Sequence, residues 1–351
     1  MRRRELLISL AATAAMTTPP GLLRAQATID RIGLLLPMSG GPFGRASTAV
    51  RAGIEAAWKR EGRGLAVDIY ETDETAGSLA GAYRGMLERG TALVLGPLTR
   101  AGASSLLQLG DVPITTVTLN QIEGDAALPW NVIVFTLAVE LESRQIAQEA
   151  FRVAQSLTSG VPSATIVTSD TSLGRRAAAS FLDSWRSLGG EAGLPLELEL
   201  GGLYKFRALV KKEKGDIVFL SMDSNLARPV STIFGTGRPL FGTSLLSVGG
   251  PSAQPVPELN GVRLLEMPSI LMPDYPGRLG YDPIPDDFSL EMQRLYCLGV
   301  DAMRVARAMF THTGRFELDG LSGRLRYDAD QARIERLPVL AVYRDGLPVP
   351  L

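Results

Sequence analysis

A chain of 351 residues, 45 % of them hydrophobic, is long enough for two domains of ordinary size and apolar enough to build a sizeable core. Its 36 basic and 37 acidic residues leave a formal net charge of −1, which gives no basic footprint for nucleic acid or an anionic membrane surface. One cysteine, Cys297, and one histidine, His312, exclude an internal disulfide and leave almost no material for thiol, imidazole or histidine-metal chemistry, so no cofactor is expected.

In chain order, the first segment is "MRRRELLISLAATAAM", a basic start followed by an apolar stretch too short to span a bilayer. Small residues at Ala25 and Ala27 in "RAQA" predict a signal peptide over 1–27, cleaved after Ala27, and a periplasmic location. Arg3-Arg4-Glu5-Leu6-Leu7 resembles a twin-arginine export signal, with the general secretory route as the alternative. No cysteine stands at the cleavage point, so the mature chain is expected to carry no lipid.

Beyond it, short apolar runs alternate with helical patterns. Strands are predicted at 31–36, 65–70, 92–95, 113–117 and 132–136, with helices at 44–60, 76–89 and 101–109 between the first four. A second series follows: helices at 140–158, 173–188, 203–212 and 225–235, and strands at 163–168, 195–200, 216–221, 239–242 and 262–266. Such alternation predicts an α/β fold with parallel sheets covered on both faces. Ten strands are many for one sheet, so the expectation is two doubly wound lobes joined by a hinge. Two Pro/Gly-rich stretches, "GGPSAQPVPELNG" and "PDYPGRLGYDPIPDD", resist regular structure. A long helix is predicted over 286–313, opened by Asp286-Asp287, and then a hairpin-like stretch turning at Asp328–Asp330 and Asp345-Gly346. The expected division is 28–136 plus 268–327 for the first lobe, and 138–266 plus 338–351 for the second.

The first strand runs into "PMSGGPFG". Its G-G-x-x-G spacing is not the G-x-G-x-x-G of a dinucleotide fingerprint, and no Gly-Lys-Ser/Thr follows. Pro42 removes an amide that a phosphate nest would use. The loop is expected to be a tight turn at a cleft rim, with glycine supplying positive φ.

Doubly wound sheets bind ligands beyond the carboxyl ends of their strands. The candidate ligand-binding residues are therefore those that follow strands: Ser39, Thr99, Arg100 and Asn120 in the first lobe, and Asp170, Ser172, Asp223 and Thr243 in the second. Arg100 could hold a carboxylate, and Asp170 or Asp223 an ammonium group. Each has a plainer reading as a helix cap, a turn or a solvated charge. Cys297 reads as a buried thiol, and His312 as a residue closing the long helix onto its last carbonyls. No Ser-x-x-Lys or G-x-S-x-G motif is present, and catalysis is not expected.

"IGLLLPMSGGPFGRASTAVRAGIEAAW", "VDIYETDE" and "LVLGPLTRAGASSL" resemble the first lobe of the type 1 periplasmic binding proteins, the Leu/Ile/Val-binding group. "ELNGVRLLEMPSIL", "LYCLGVDAMRVA" and "LDGLSGRLRYDADQARIERLPVLAVYRDG" resemble the penicillin-binding protein activator, or LppC-like, branch. The resemblance implies two lobes joined by three hinge strands and a binding protein rather than an enzyme. It implies a small polar, amino-acid-like solute in the cleft, handed to the permease of an ABC-type importer or to a sensor. The alternative it implies is a regulator that touches a peptidoglycan synthase. Leu173 stands where amino-acid binders place an aromatic, and Asn120 and Gln121 where they place small residues and Thr.

Overall fold

A computed structural model describes residues 30–124, 127–198, 203–210, 213–235, 237–312 and 314–351. The expected signal segment and its expected cleavage after Ala27 lie outside them, as do residues 199–200 of one expected strand and 211–212 of one expected helix.

The first series comprises β1 (Asp30–Pro37), α1 (Gly44–Glu61), β2 (Leu65–Thr72), α2 (Ala76–Glu88), β3 (Leu93–Leu95), α3 (Arg100–Ser105), β4 (Thr115–Thr118) and β5 (Val132–Val134). The second comprises α4 (Val139–Leu157), β6 (Ser163–Ser169), α5 (Ser172–Ser187), β7 (Glu191–Ala192), β8 (Leu196–Leu198), α6 (Leu203–Val210), β9 (Ile217–Ser221), α7 (Ser224–Phe234), β10 (Leu240–Gly242) and β11 (Arg263–Glu266). The chain closes with α8 (Pro268–Leu271), α9 (Leu290–Thr311), β12 (Arg315–Asp319), β13 (Arg324–Asp328), β14 (Arg333–Leu337), β15 (Val339–Arg344) and β16 (Leu347–Pro350).

These strands form two sheets. The first runs β12-β13-β14-β5-β4-β3-β1-β2, and the second β16-β15-β11-β10-β9-β6-β7 with β8 also beside β6. The doubly wound, two-lobe α/β expectation is met. Both sheets are parallel at their centres and buried on both faces, which is why their strands read as unbroken apolar runs. In β1, Ile32, Leu34 and Leu36 enter the core shared with α1 and α9, while Leu35 enters the core shared with α2. In β9, Val218 and Leu220 pack toward α7, and Ile217 and Phe219 toward α4 and α5.

The chain passes between the sheets three times: from β5 to α4, from β11 through α8 to α9, and from β14 to β15. The segment after the second passage is placed by α9, whose buried face packs on α1 over the first sheet. This helix starts at Leu290 rather than 286. Ser289 caps it by accepting from the Met292 amide at 3.4 Å, so Asp286-Asp287 lie outside the helix and Glu291 is the acidic residue of its first turn. The α-helix expected over 101–109 ends at Ser105, and residues 106–109 tighten into a 3-10 turn.

Candidate functional site

The carboxyl ends of β1, β3 and β4, the passage after β5, and the amino ends of α3, α4, α5 and α9 surround a cleft of about 740 Å³. Its floor and walls are mostly apolar, with Phe43, Leu98, Leu119, Leu137, Leu173 and Leu245 among the lining. Polar groups enter where helices begin, because each helix start presents unpaired amides that a side chain must satisfy.

Thr99 is such a start. Its Oγ1 accepts from the Gly102 amide at 3.0 Å and donates to Glu74. The Glu74 carboxylate also accepts from the Leu98 and Thr99 amides at 2.8 and 3.1 Å. Glu74 is buried at a left-handed φ of 58°, and burial pushes its carboxyl up against the pull of the Thr99 hydroxyl and both amides. Thr99 thus lines the cleft while its hydroxyl braces the loop that carries it. Asn120 lines it too, but donates to the Leu98 carbonyl at 3.0 Å and accepts from the Gln121 amide at 2.9 Å.

Arg100 lines the cleft and is already paired. Its Nη2 donates to Glu140 Oε1 at 2.9 Å, and Arg176 Nε donates to the same oxygen at 2.9 Å from α5. Glu123 approaches Arg100 from solvent at 3.8 Å. Burial pushes the Glu140 carboxyl up. Its own amide at the start of α4, Arg100 and Arg176 outweigh that and hold it below the ordinary value. The second oxygen, Oε2, is buried and accepts no hydrogen bond among the described residues.

A second ion-pair group lies deeper. Arg294 on α9 donates to Glu266 at the end of β11 and, at 2.9 Å, to the Ser244 carbonyl. Glu142 accepts from the Ser244 amide at 3.0 Å and hydroxyl at 2.7 Å, and pairs with Arg336 of β14 at 2.6 Å. Ser244 is therefore the point where residues beside all three passages meet.

Of the eight residues singled out from the sequence, Thr99, Arg100, Asn120 and Ser172 line the cleft. Ser39 stands outside that lining and donates to Glu71 at 3.2 Å; Phe43 represents its loop instead. Asp223 caps α7, accepting from the Asn225 and Leu226 amides at 2.9 and 3.2 Å. Thr243 is buried and caps the turn at Ser244–Leu246. Asp170 is exposed one residue before Thr171, the cap of α5. Neither aspartate reaches the cleft lining. The loop glycines also differ from expectation. Gly40, Gly41 and Gly44 have no positive φ, and Gly44 is required by space, since a Cβ there would run into the Ser39 carbonyl.

Glu140, Arg176 and Arg294 were missed because they lie within helices rather than after strands. Arg176 stands four residues beyond Ser172, so it shares that residue's helix face, and this spacing is the signal that could have found it.

Comparison with known proteins places the chain. The family model described as LppC putative lipoprotein matches residues 12–193. A penicillin-binding protein activator LpoA from Aliivibrio fischeri is 24 % identical over 84 % of this chain and 54 % of its own length. That of Edwardsiella piscicida is 26 % identical over 81 % of this chain and 46 % of its own length. The chain thus spans about half the length of these curated relatives. A structure of a putative branched-chain amino acid ABC transporter from Chromobacterium violaceum superposes with a TM-score of 0.74 at 29 % identity, covering 90 % of this chain and all of that one. The LpoA C-domain from Haemophilus influenzae, a regulator of PBP1A, superposes with a TM-score of 0.71 at 19 % identity over 92 % of this chain and all of that one. The resemblance read from the sequence is borne out: the chain belongs to the LppC family, on a type 1 periplasmic binding protein fold.

Proposed function

We propose that this chain is an exported, non-catalytic regulator of peptidoglycan synthesis that acts by contact with a penicillin-binding protein. The observation that carries this reading is the state of the cleft. Its three arginines are each held by an internal carboxylate: Arg100 and Arg176 by Glu140, Arg294 by Glu266. A solute receptor needs its charged recognition groups free for the solute, whereas here Arg100–Glu140 and Arg294–Glu266 tie one lobe to the other and Arg176 is held by Glu140 within the second lobe. The curated relatives, named as penicillin-binding protein activators, support the same reading. Lobe boundaries near 28–136 plus 268–327 and 138–266 plus 338–351 belong to this proposal. So does residence in the cell envelope, where mass spectrometry of the exported protein distinguishes an unlipidated chain beginning at Thr28 from a lipidated one.

Binding of the exported protein to a purified penicillin-binding protein of its own cell, followed by interferometry, tests the proposal. Saturable binding is expected. Its absence, alongside a thermal shift with an amino acid, would replace the proposal with the solute-binding reading. That second reading draws on the cleft volume and on Glu140 Oε2, which could accept from an ammonium group. In it Thr99, Arg100, Asn120 and Ser172 would face the solute, and a permease would be the partner. A solute at a hundred times its Kd would add about 2.7 kcal/mol of stability.

A further inference from the structure

Arg278 lines two cavities outside the cleft, one of about 520 Å³ and one of about 250 Å³. The larger lies between the loop at 248–253, α8 and the start of α9, and it backs onto the cleft wall. Ser244 and Leu245 line the cleft, whereas Val248 and Pro251 line this cavity. On α9, Glu291 and Arg294 line the cleft, and Leu290 and Gln293 the cavity. Its walls therefore come from both lobes and from the second passage between them. One wall is fixed by close backbone packing, since a Cβ on Gly250 would run into the Ile270 carbonyl of α8.

The charge at this place sets it apart. The three arginines that line the cleft each meet a carboxylate. Arg278 is half-buried and meets none among the described residues. Its one hydrogen bond there runs from Nη1 to the Ser269 carbonyl at 3.2 Å. A guanidinium drawn partly out of water costs free energy unless an anion meets it, and its planar fork fits both oxygens of a carboxylate. The surrounding walls are largely apolar, with Val248, Pro251, Ile270, Pro273, Ile284 and Leu290 among them. A cation so placed matches a carboxylate carried on an apolar body. The volume is that of small-molecule sites, roughly 300–1,000 Å³. Asp286 also lines the cavity, exposed and in no ion pair among the described residues, and it would repel a second anionic group. That restricts the occupant to a single negative charge.

We propose that this cavity is a ligand site separate from the cleft, taking a monocarboxylate with its charge on Arg278 and its apolar body against Ile270, Ile284 and Leu290. A ligand so held touches both lobes and the passage between them. The proposal does not rest on the function proposed above.

Calorimetric titration of the exported protein with octanoate, cyclohexanecarboxylate and uncharged octan-1-ol tests it. At least one carboxylate should bind, and octan-1-ol should bind at least about tenfold more weakly than octanoate. Arg278→Gln should weaken the carboxylate by about tenfold or more, and Arg278→Lys, which keeps the charge without the fork, by less. Ala253→Phe, which fills the cavity from the loop, should abolish binding. Circular dichroism confirms that each variant is folded. The proposal is overturned if neither carboxylate binds at millimolar concentration, or if octan-1-ol binds as tightly as octanoate. It is equally overturned if folded Arg278→Gln or folded Ala253→Phe keeps the wild-type affinity, which would place the ligand elsewhere.

Discussion

Glu142 and Arg336 are each 3 % exposed at the side chain, and their 2.6 Å pair ties the start of α4 to the end of β14. Removing one partner of such a pair strands the other charge out of water, at a cost of about 3–5 kcal/mol. Glu142→Ala should lose that much in urea unfolding. A loss below about 1 kcal/mol, the range of an exposed pair, would show that the pair is not buried in solution. Glu140 makes a different prediction, because its carboxyl sits below the ordinary value of 4.5. A carboxylate depressed in the folded state contributes stability above its unfolded pKa, and that contribution disappears as pH falls through the folded one. The thermal stability gap between wild type and Glu140→Gln should therefore be largest near neutral pH and close in acid. A gap that calorimetry finds constant with pH would remove the ion-pair account. At this scale the sequence was half legible. Residues after strands were found because strand ends face the cleft. Their occupation by caps and ion pairs was not, since Glu140 comes from a helix that begins in the other lobe.

At the scale of elements, α1 and α9 approach one another where both carry glycine. A Cβ on Gly53 would run into the Tyr296 carbonyl, and one on Gly299 into the Val50 carbonyl. Gly53→Ala and Gly299→Ala should each force the helices apart and cost about 1–3 kcal/mol, as overpacking does. Thermal unfolding measures this, and an unchanged midpoint would mean that the helices have slack. The sheet edge at β12–β14 shows a second rule. Arg326 lies between Glu317 and Glu335, and Asp328 between Arg315 and Arg333, so opposite charges alternate across the strands. Arg326→Glu would set like charges against both neighbours and should cost about 1 kcal/mol, each opposed pair being worth roughly 0.2–1 kcal/mol. The alternation and the turn at Asp328–Asp330 were readable in "RLRYDADQARIERL". What the strands join was not. Arg333 of β14 meets Val134 of β5 in parallel, and Val339 of β15 meets Glu266 of β11 in antiparallel. Both partners are distant in sequence, and local pattern carries no record of them.

For the whole molecule, the strand-helix alternation was enough to read two doubly wound lobes, because buried parallel strands must be apolar on both faces. The joint between them was not readable. Its three passages are pinned by Glu142–Arg336, Glu266–Arg294 and the shared Ser244, residues far apart in the chain. Ties of this kind oppose a change of interlobe angle, and such resistance is what the proposed action by contact calls for. The most direct test is the rate at which a purified penicillin-binding protein from the same cell polymerises and cross-links glycan, with and without the exported protein. The account predicts a rate that rises and saturates with added protein, unaffected by amino acids. A synthase rate indifferent to the protein at every concentration would contradict it.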